Sequence, residues 1–541
     1  MRSRRVLPLT ALTAAGALVA AALTTLPAQA RPPAPDVTLT LLGTYDTGLF
    51  DEGGSEITAY DPATQRLFVV NSGSGTVDVV DIAEPSAPTK VGQLEAPGAN
   101  SVAVHDGLVA VAEEADDKTD PGTVAFHDAA TLVEVGRVTV GALPDMVAFT
   151  RSGDRAVVAN EGEPEGYCDG QVDPEGSVSV IDLRRGPAAA TVATADFHAW
   201  DGQEEALNAS GVRIYSPNAS ASQDLEPEYV ATSTNSQTAW VTLQENNAVA
   251  TVDLRTATVT AVTSLGLKDH FSAGNGLDAS DRDGAVSITP WPVRGMYQPD
   301  AVDQYQVAGH PYLVTANEGD AREYPCFLGG EEVNEDETEE VRVKDLPLDP
   351  AAFPDAAGLQ DDEALGRLNV TSTSPQGRNG YTELWSFGAR SVTVRDAVTG
   401  AVTWDSGDAL EQLTGTAQPT LFNANNDDND SFDSRSDNKG PEPEGVDLGR
   451  IGGRTYAFVG LERQGGIVVV DVTDPTDGRI AGFASNRSTD PDADAEAGEA
   501  GDLGPEGVLF VPGEDSPTGE PLLVVGNEVS GTTTVWGVST R

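Results

Sequence analysis

Gly75-Thr-Val-Asp-Val-Val-Asp81 decides how this chain is read: a turn residue, alternating apolar positions, and a closing Asp. The pattern returns as Gly122-Thr-Val-Ala-Phe-His-Asp128, Gly176-Ser-Val-Ser-Val-Ile-Asp182, Asn247-Ala-Val-Ala-Thr-Val-Asp253, Arg390-Ser-Val-Thr-Val-Arg-Asp396 and Gly465-Gly-Ile-Val-Val-Val-Asp471, with a degenerate seventh copy, Gly531-Thr-Thr-Thr-Val-Trp-Gly537. Period-two alternation of Val, Ile and Thr is strand chemistry. The closing Asp suits a turn because its carboxylate accepts from nearby backbone amides.

Each copy is preceded by an apolar run with a polar tip: Leu67 to Asn71, Leu108 to Glu113, Ala156 to Glu161, Ala239 to Glu245, Tyr312 to Glu318, Tyr456 to Glu462 and Leu522 to Glu528. Before most of these an acidic residue opens a third element, as at Glu56, Asp145, Glu228, Asp300, Glu444 and Glu506. A fourth strand follows, clearest at Lys90 to Leu94, Glu134 to Val140, Thr258 to Leu265, Ala401 to Trp404 and Arg479 to Phe483. Seven units of four antiparallel strands predict an all-β fold, a seven-bladed β-propeller, in place of two tandem sandwiches. The last unit lacks its outer strand, and Val37 to Tyr45 has the right pattern to supply it, closing the ring from the N-terminus. Long insertions at 198–226, 266–299, 320–385 and 408–441 interrupt the later units, and such loops are where a propeller hosts its chemistry.

The 541 residues carry 32 Lys and Arg against 86 Asp and Glu, a formal charge of −54. That excess argues against nucleic acid, whose phosphates need clustered basic residues, and favours divalent cations as partners. Residues 1–30 show a basic head (Arg2, Arg4, Arg5), an apolar run and Ala28-Gln29-Ala30, the layout of a signal peptide cleaved after Ala30 by the Sec or Tat route. Residues 31–541 then form one exported domain. No later stretch reaches the ~18 apolar residues needed for a transmembrane helix. Cys168 and Cys326 stand at similar offsets after Asn160 and Asn317, so in an oxidising compartment they form one disulfide or remain two separate thiols.

The tip and opening acids of equivalent units should converge near the mouth of a central channel. Oxygen-only donors favour Ca²⁺, then Mg²⁺ or Mn²⁺. The metal candidates are Glu161, Asp278, Asp281, Asp283, Glu318, Asp320, Glu442, Glu444, Glu506 and Glu528, with Glu113, Glu245 and Glu462 also expected in the ring of tips. Asp278, Asp281 and Asp283 fall within six residues, although without EF-hand spacing. Asp427, Asp428, Asp430, Asp433 and Asp437 make a second dense run. Arg282, Arg322 and Arg435 flank these clusters as ion-pair partners or anion ligands. Nucleophile elbow, P-loop, zinc-protease and dinucleotide motifs are absent, and of five scattered His only His270 lies near a cluster.

Several of these segments resemble the bacterial choice-of-anchor I family, itself related to mesenchyme-specific cell-surface glycoproteins. They include Phe50 to Ile57, Ala159-Asn-Glu-Gly-Glu-Pro164, Gly274 to Gly284, Thr315-Ala-Asn-Glu-Gly-Asp-Ala-Arg322 and Ser431 to Gly445. The resemblance implies a YVTN/WD40-like propeller in an exported protein, and some members carry alkaline-phosphatase or phytase-esterase-like labels. Two functions follow as expectations. One is a secreted calcium-binding propeller acting as an extracellular or surface-associated binding module, with an extracellular matrix component as partner. The other is a metal-dependent phosphoesterase acting on a phosphorylated small molecule, with no catalytic residue assigned.

Overall fold

The computed structural model describes residues 36–540 except 169, 217–218, 325, 329–330 and 333–337; the expected signal peptide lies outside the described residues. Seven four-stranded antiparallel sheets account for the repeated units. Sheet 1 contains Thr58–Asp61, Arg66–Asn71, Thr76–Asp81 and Thr89–Glu95. Sheet 2 contains Ala99–His105, Leu108–Glu113, Pro121–Asp128 and Glu134–Ala142. Sheet 3 contains Pro144–Phe149, Arg155–Asn160, Ser177–Asp182 and Thr191–Ala195. Sheet 4 contains Val230–Thr232, Thr238–Leu243, Ala248–Asp253 and Thr258–Ser264. Sheet 5 contains Val302–Val307, His310–Asn317, Ser391–Asp396 and Val402–Asp405. Sheet 6 contains Pro443–Ile451, Arg454–Leu461, Ile467–Asp471 and Arg479–Ala484. Sheet 7 combines Pro505–Val511, Leu522–Asn527 and Thr532–Thr540 with the N-terminal strand Val37–Asp46.

All seven pattern copies are third strands. Their terminal carboxylates accept from the turn amides of Ala83, Thr131, Arg184, Arg255, Val398 and Thr473, which is why an Asp closes six of the seven. Second and third strands are apolar on both faces because each sheet packs between two neighbours: Leu67 to Val70 and Ala457 to Val459 are fully buried. Outer strands such as Thr89–Glu95 are largely exposed.

The first strands touch in succession from sheet 1 through sheet 7, and that of sheet 7 touches that of sheet 1. The N-terminal strand pairs antiparallel with Thr532–Thr540, from Val37 opposite Thr540 to Asp46 opposite Thr532. Val37 and Leu39 pack with Tyr456 and Phe458 of sheet 6. Leu42 and Tyr45 pack with Leu67 and Val69 of sheet 1. The strand is therefore held between the sixth and first sheets.

The insertions are ordered by cores of their own. Segments from 266–299 and 320–385 share a satellite core that includes Leu277, Val293, Val343, Phe353, Leu368 and Tyr381. The 198–226 insertion packs Leu207, Val212, Ala221 and Leu225 against sheets 3 and 4. The 408–441 insertion opens with the helix Ala409–Ala417, whose Leu410 joins the core of sheets 5 and 6. The Cys168–Cys326 disulfide is formed and links the insertions after the tips of sheets 3 and 5, with a Cα–Cα distance of 5.0 Å. Among the described residues no helix is long and apolar enough to cross a membrane.

Candidate metal centre at the inner strands

Two local devices aim the acids inward. At the start of several first strands the pairing slips: between Ala99 and Ser101, Pro144 and Val147, Pro443 and Val446, and Pro505 and Val508. A bulge there bends the strand and re-aims the residue it frees, namely Asn100, Asp145, Glu444 or Glu506. In the second strands, Asn160, Asn317 and Asn527 turn their amides across to the third strand, onto Ser177, Ser391 and Thr532, which fixes the backbone just ahead of Glu161, Glu318 and Glu528.

Sheet 2 departs from the expected ring. Glu113 sits in the register position of those asparagines and binds outward to Thr123 and Arg137. The inward place belongs to Glu114, whose amide bonds Gly98 as those of Glu161, Glu462 and Glu528 bond Leu143, Glu442 and Gly504. One residue of slip exchanges the two faces of a strand, and the sequence Glu113-Glu114 hides which carboxylate is inside.

Asn100, Asp145, Tyr229, Asp300, Glu444 and Glu506 line a cavity of about 70 Å³ between the first strands. Burial raises Asp145 to about 7, with Glu163 and Glu245 adding to the shift. Burial likewise carries Asp300, Glu444 and Glu506 well above the ordinary carboxylate range, and neighbouring acids push the same way. Glu528 lies beside this group and is raised by its own burial, while burial and the Glu528 and Asp145 charges bring Glu56 to about 7 against the hydrogen bond from Ser72.

Toward the tips, two triplets of carboxylates come close enough to share an ion. In each of Glu161, Glu228, Glu245 and Glu318, Glu442, Glu462, one oxygen per residue lies within 4.8 Å of the others. Two full negative charges at that separation repel by about 3–4 kcal/mol at an effective dielectric constant near 20, so neither triplet is stable fully ionised without compensation.

The triplets solve this differently. Lys439 Nζ lies 2.8 Å from Glu318, 3.4 Å from Asp320 and 3.4 Å from Glu442. Arg435 binds Glu442 at 2.8 Å, and Arg463 reaches Glu442 and Glu462 at 3.4 and 3.1 Å. Burial opposes ionisation of Glu442, but Lys439, Arg435 and Arg463 outweigh it and hold the carboxyl near 2. In the other triplet, burial followed by neighbouring acids drives Glu161 and Glu228 well above their usual range, and burial also raises Glu245. Glu228 and Glu245 are each 6% exposed. Neither oxygen of Glu228 nor Oε2 of Glu245 accepts from any other group, and the two carboxyls lie close enough to share a proton between them.

The remaining candidates lie elsewhere. Asp278 accepts from the amides of Ser280 and Ser287, Asp281 is bridged by Arg367 at 2.9 and 3.1 Å, and Asp283 caps the amide of Ala285. The structure thus spends Asp278 and Asp283 on their own loop and Asp281 on Arg367 of the next insertion, and brings none of them to either triplet. Asp437 pairs with Arg342 and Arg367. Arg322 is buried against Asp224 and Glu226, while the exposed Arg282 pairs with Asp281, so both serve as ion-pair partners. His270 is buried with Nδ1 on the Asn275 carbonyl, away from the triplets. Glu228, noted only as a strand opener, is the ligand candidate that sequence reasoning undervalued. Its signal is the repeated Glu-Pro-Glu of Glu226-Pro227-Glu228 and Glu442-Pro443-Glu444.

Sheets of this topology with acids gathered at their inner ends define a β-propeller-type protein with an acidic inner face. Residues 56–475 match the choice-of-anchor I domain, and the chain belongs to that family. It is 34% identical to Gigasin-3a of Magallana gigas over 189 residues, covering 33% of this chain and 66% of that protein. It is 28% identical to the mesenchyme-specific cell surface glycoprotein of Strongylocentrotus purpuratus over 276 residues, 46% of this chain and 35% of that protein. The chain therefore spans less than two thirds of the length of either relative. Among solved structures, hydrazine synthase of Kuenenia stuttgartiensis aligns over 91% of this chain and 98% of its own at a TM-score of 0.45 and 14% identity. The Cps50 (Swd1) β-propeller domain from Myceliophteria_thermophila aligns over 93% and 100% at 0.43 and 8%.

Proposed function

We propose that this chain is a secreted, surface-associated binding module, a closed seven-bladed propeller whose inner mouth carries Ca²⁺. The observation behind the reading is the pair of carboxylate triplets, each drawn from widely separated stretches of chain and focused within 4.8 Å. Closure is supported by the circular succession of first strands and by the pairing of Val37–Asp46 with Thr532–Thr540. All donors in the triplets are carboxylate oxygens, which suits Ca²⁺ before Mg²⁺ or Mn²⁺. Likeness to a cell surface glycoprotein favours an extracellular matrix component as the macromolecular partner.

A metal-dependent phosphoesterase would need, beside its cation, an unspent basic group to meet the phosphate. Lys439, Arg435, Arg463 and Arg322 are all bound to carboxylates, which favours the binding module. The deciding experiment strips divalent ions from the purified chain and restores Ca²⁺ while following thermal melting and hydrolysis of a generic phosphomonoester. The binding module predicts stabilisation without turnover, about 2.7 kcal/mol at a ligand concentration a hundredfold above Kd. Turnover that requires metal and is lost in the Glu228→Gln, Glu318→Gln double variant would establish the enzyme. An unchanged melting curve together with no turnover would leave neither reading standing.

A further inference from the structure

The two triplets match at two of their three places in the repeat. Glu161 and Glu318 follow the second strands of sheets 3 and 5, Glu228 and Glu444 open the first strands of sheets 4 and 6, and Glu245 and Glu462 follow the second strands of those same sheets. Glu226-Pro227-Glu228 and Glu442-Pro443-Glu444 align Glu442 with Glu226, so the third members of the triplets, Glu228 and Glu442, stand two residues apart in the repeat. With two tip acids at the same register and a third carboxylate close by in each, both arrays call for a compensating positive charge.

They differ in their cations. Lys439, Arg435 and Arg463 all bind the array between sheets 5 and 6. Gln244 and Asn426 donate to Glu318 and Glu462 as well, at 2.9 and 2.8 Å. In the array between sheets 3 and 4 the two buried arginines are spent on other acids: Arg322 on Glu226 and Asp224, and Arg213 on Glu339, with its second contact to the backbone carbonyl of Glu245. Among the described residues, Glu161, Glu228 and Glu245 make no ion pair. A buried carboxylate whose oxygens accept from no group beyond the triplet is costly, and Glu228 aims one of them into the triplet.

We infer that Glu161, Glu228 and Glu245 hold one divalent cation, and that in the Glu318, Glu442, Glu462 array the ammonium of Lys439 supplies the compensating charge instead. The inference rests on the calcium reading above and assigns it a single site. Glu161 is half-buried whereas its two partners are buried, so the ion keeps a solvent-facing side for water, as Ca²⁺ needs with its six to eight ligands. Lys439 neutralises its own array internally, touching Glu318 and Glu442 of the triplet and Asp320 beside it.

Equilibrium dialysis against Ca²⁺ up to about 1 mM, the affinity range of extracellular modules, with metal content read by atomic absorption, tests this on the full mature chain. The parent should retain one ion per chain. Glu228→Gln should weaken binding at least tenfold, and Glu462→Gln in the other array should leave one ion bound. Lys439→Met, by removing the internal ammonium, should raise the content to two. If Glu462→Gln loses the ion and Glu228→Gln keeps it, or if a folded Lys439→Met chain still takes one, the assignment is overturned while calcium binding itself stands. A parent that retains no ion overturns both. Should Lys439→Met fail to fold, the two Gln variants decide alone.

Discussion

Removing residues 31–46 tests closure most directly. The strand Val37–Asp46 buries Val37 to 5% exposure and half-buries Leu39, Leu42 and Tyr45 between sheets 6 and 1. At about 1.5–3 kcal/mol for a fully buried aliphatic or aromatic side chain, these four contribute about 4–5 kcal/mol. The ladder to Thr532–Thr540 adds hydrogen bonds worth about 1 kcal/mol each, which roughly offset the 1–2 kcal/mol per residue needed to order the strand. The apolar term therefore decides the magnitude. Unfolding entropy near 2 cal/mol/K per residue gives roughly 1 kcal/mol/K for a chain of about 500 residues, so Tm should fall by about 4–5 °C. Differential scanning calorimetry of chains beginning at Arg31 and at Thr47 measures this. Exposure of the Thr532–Thr540 edge should also promote association, visible by light scattering. A Tm within about 1 °C of the longer chain, with no change in association, would refute the reasoning that this strand completes the seventh sheet.

Tyr45→Phe removes the 2.6 Å hydrogen bond from the closing strand to Asp78, which is buried and also bound by Lys90, Thr76 and Asn71. A loss of about 1–2 kcal/mol at pH 7 is expected by chemical denaturation. Burial would raise Asp78, but Lys90, Tyr45, Thr76 and Asn71 together hold it below its ordinary 3.8. Its contribution is thus complete above the unfolded value and lost as pH falls through the folded one, so parent and variant should converge below about pH 4. Gly445→Ala would drive a Cβ into the carbonyl oxygen of Glu506 on the neighbouring sheet. The expected cost is about 1–3 kcal/mol, read as a lower denaturation midpoint with unchanged m. Cys168→Ser with Cys326→Ser should lower stability by about 2–4 kcal/mol, and the unreduced parent should show no thiol reactive toward Ellman's reagent.

The repeat was legible because its signal is local: seven strands with the same alternation, six of them closed by an Asp whose carboxylate binds the next turn. The N-terminal strand and the Cys168–Cys326 pair were legible for a related reason, since equivalent units place equivalent offsets together. Signals that depend on one residue of register were not. Glu113 and Glu114 are adjacent acids, and the backbone alone settles that the second faces inward. The bulges that free Asp145, Glu444 and Glu506 leave no mark in composition. Nor does the density of Asp278, Asp281 and Asp283 reveal that Arg367, 86 residues from Asp281, is its partner.

The blades alone make the two arrays alike in their tip acids, Glu161 and Glu245 in one and Glu318 and Glu462 in the other. What distinguishes them comes from the insertions. The 408–441 segment delivers Arg435 and Lys439 onto Glu318 and Glu442, whereas the 198–226 segment delivers two further acids, Asp224 and Glu226, which occupy Arg322 from the neighbouring insertion. Moving one ammonium into or out of such a cluster shifts its balance by a full charge, an effect of several kcal/mol at these distances. That exceeds what a blade's packing changes when a surface loop is altered. On the proposed reading the insertions therefore decide which array takes an external cation, while the sheets hold the carboxylates in place in both.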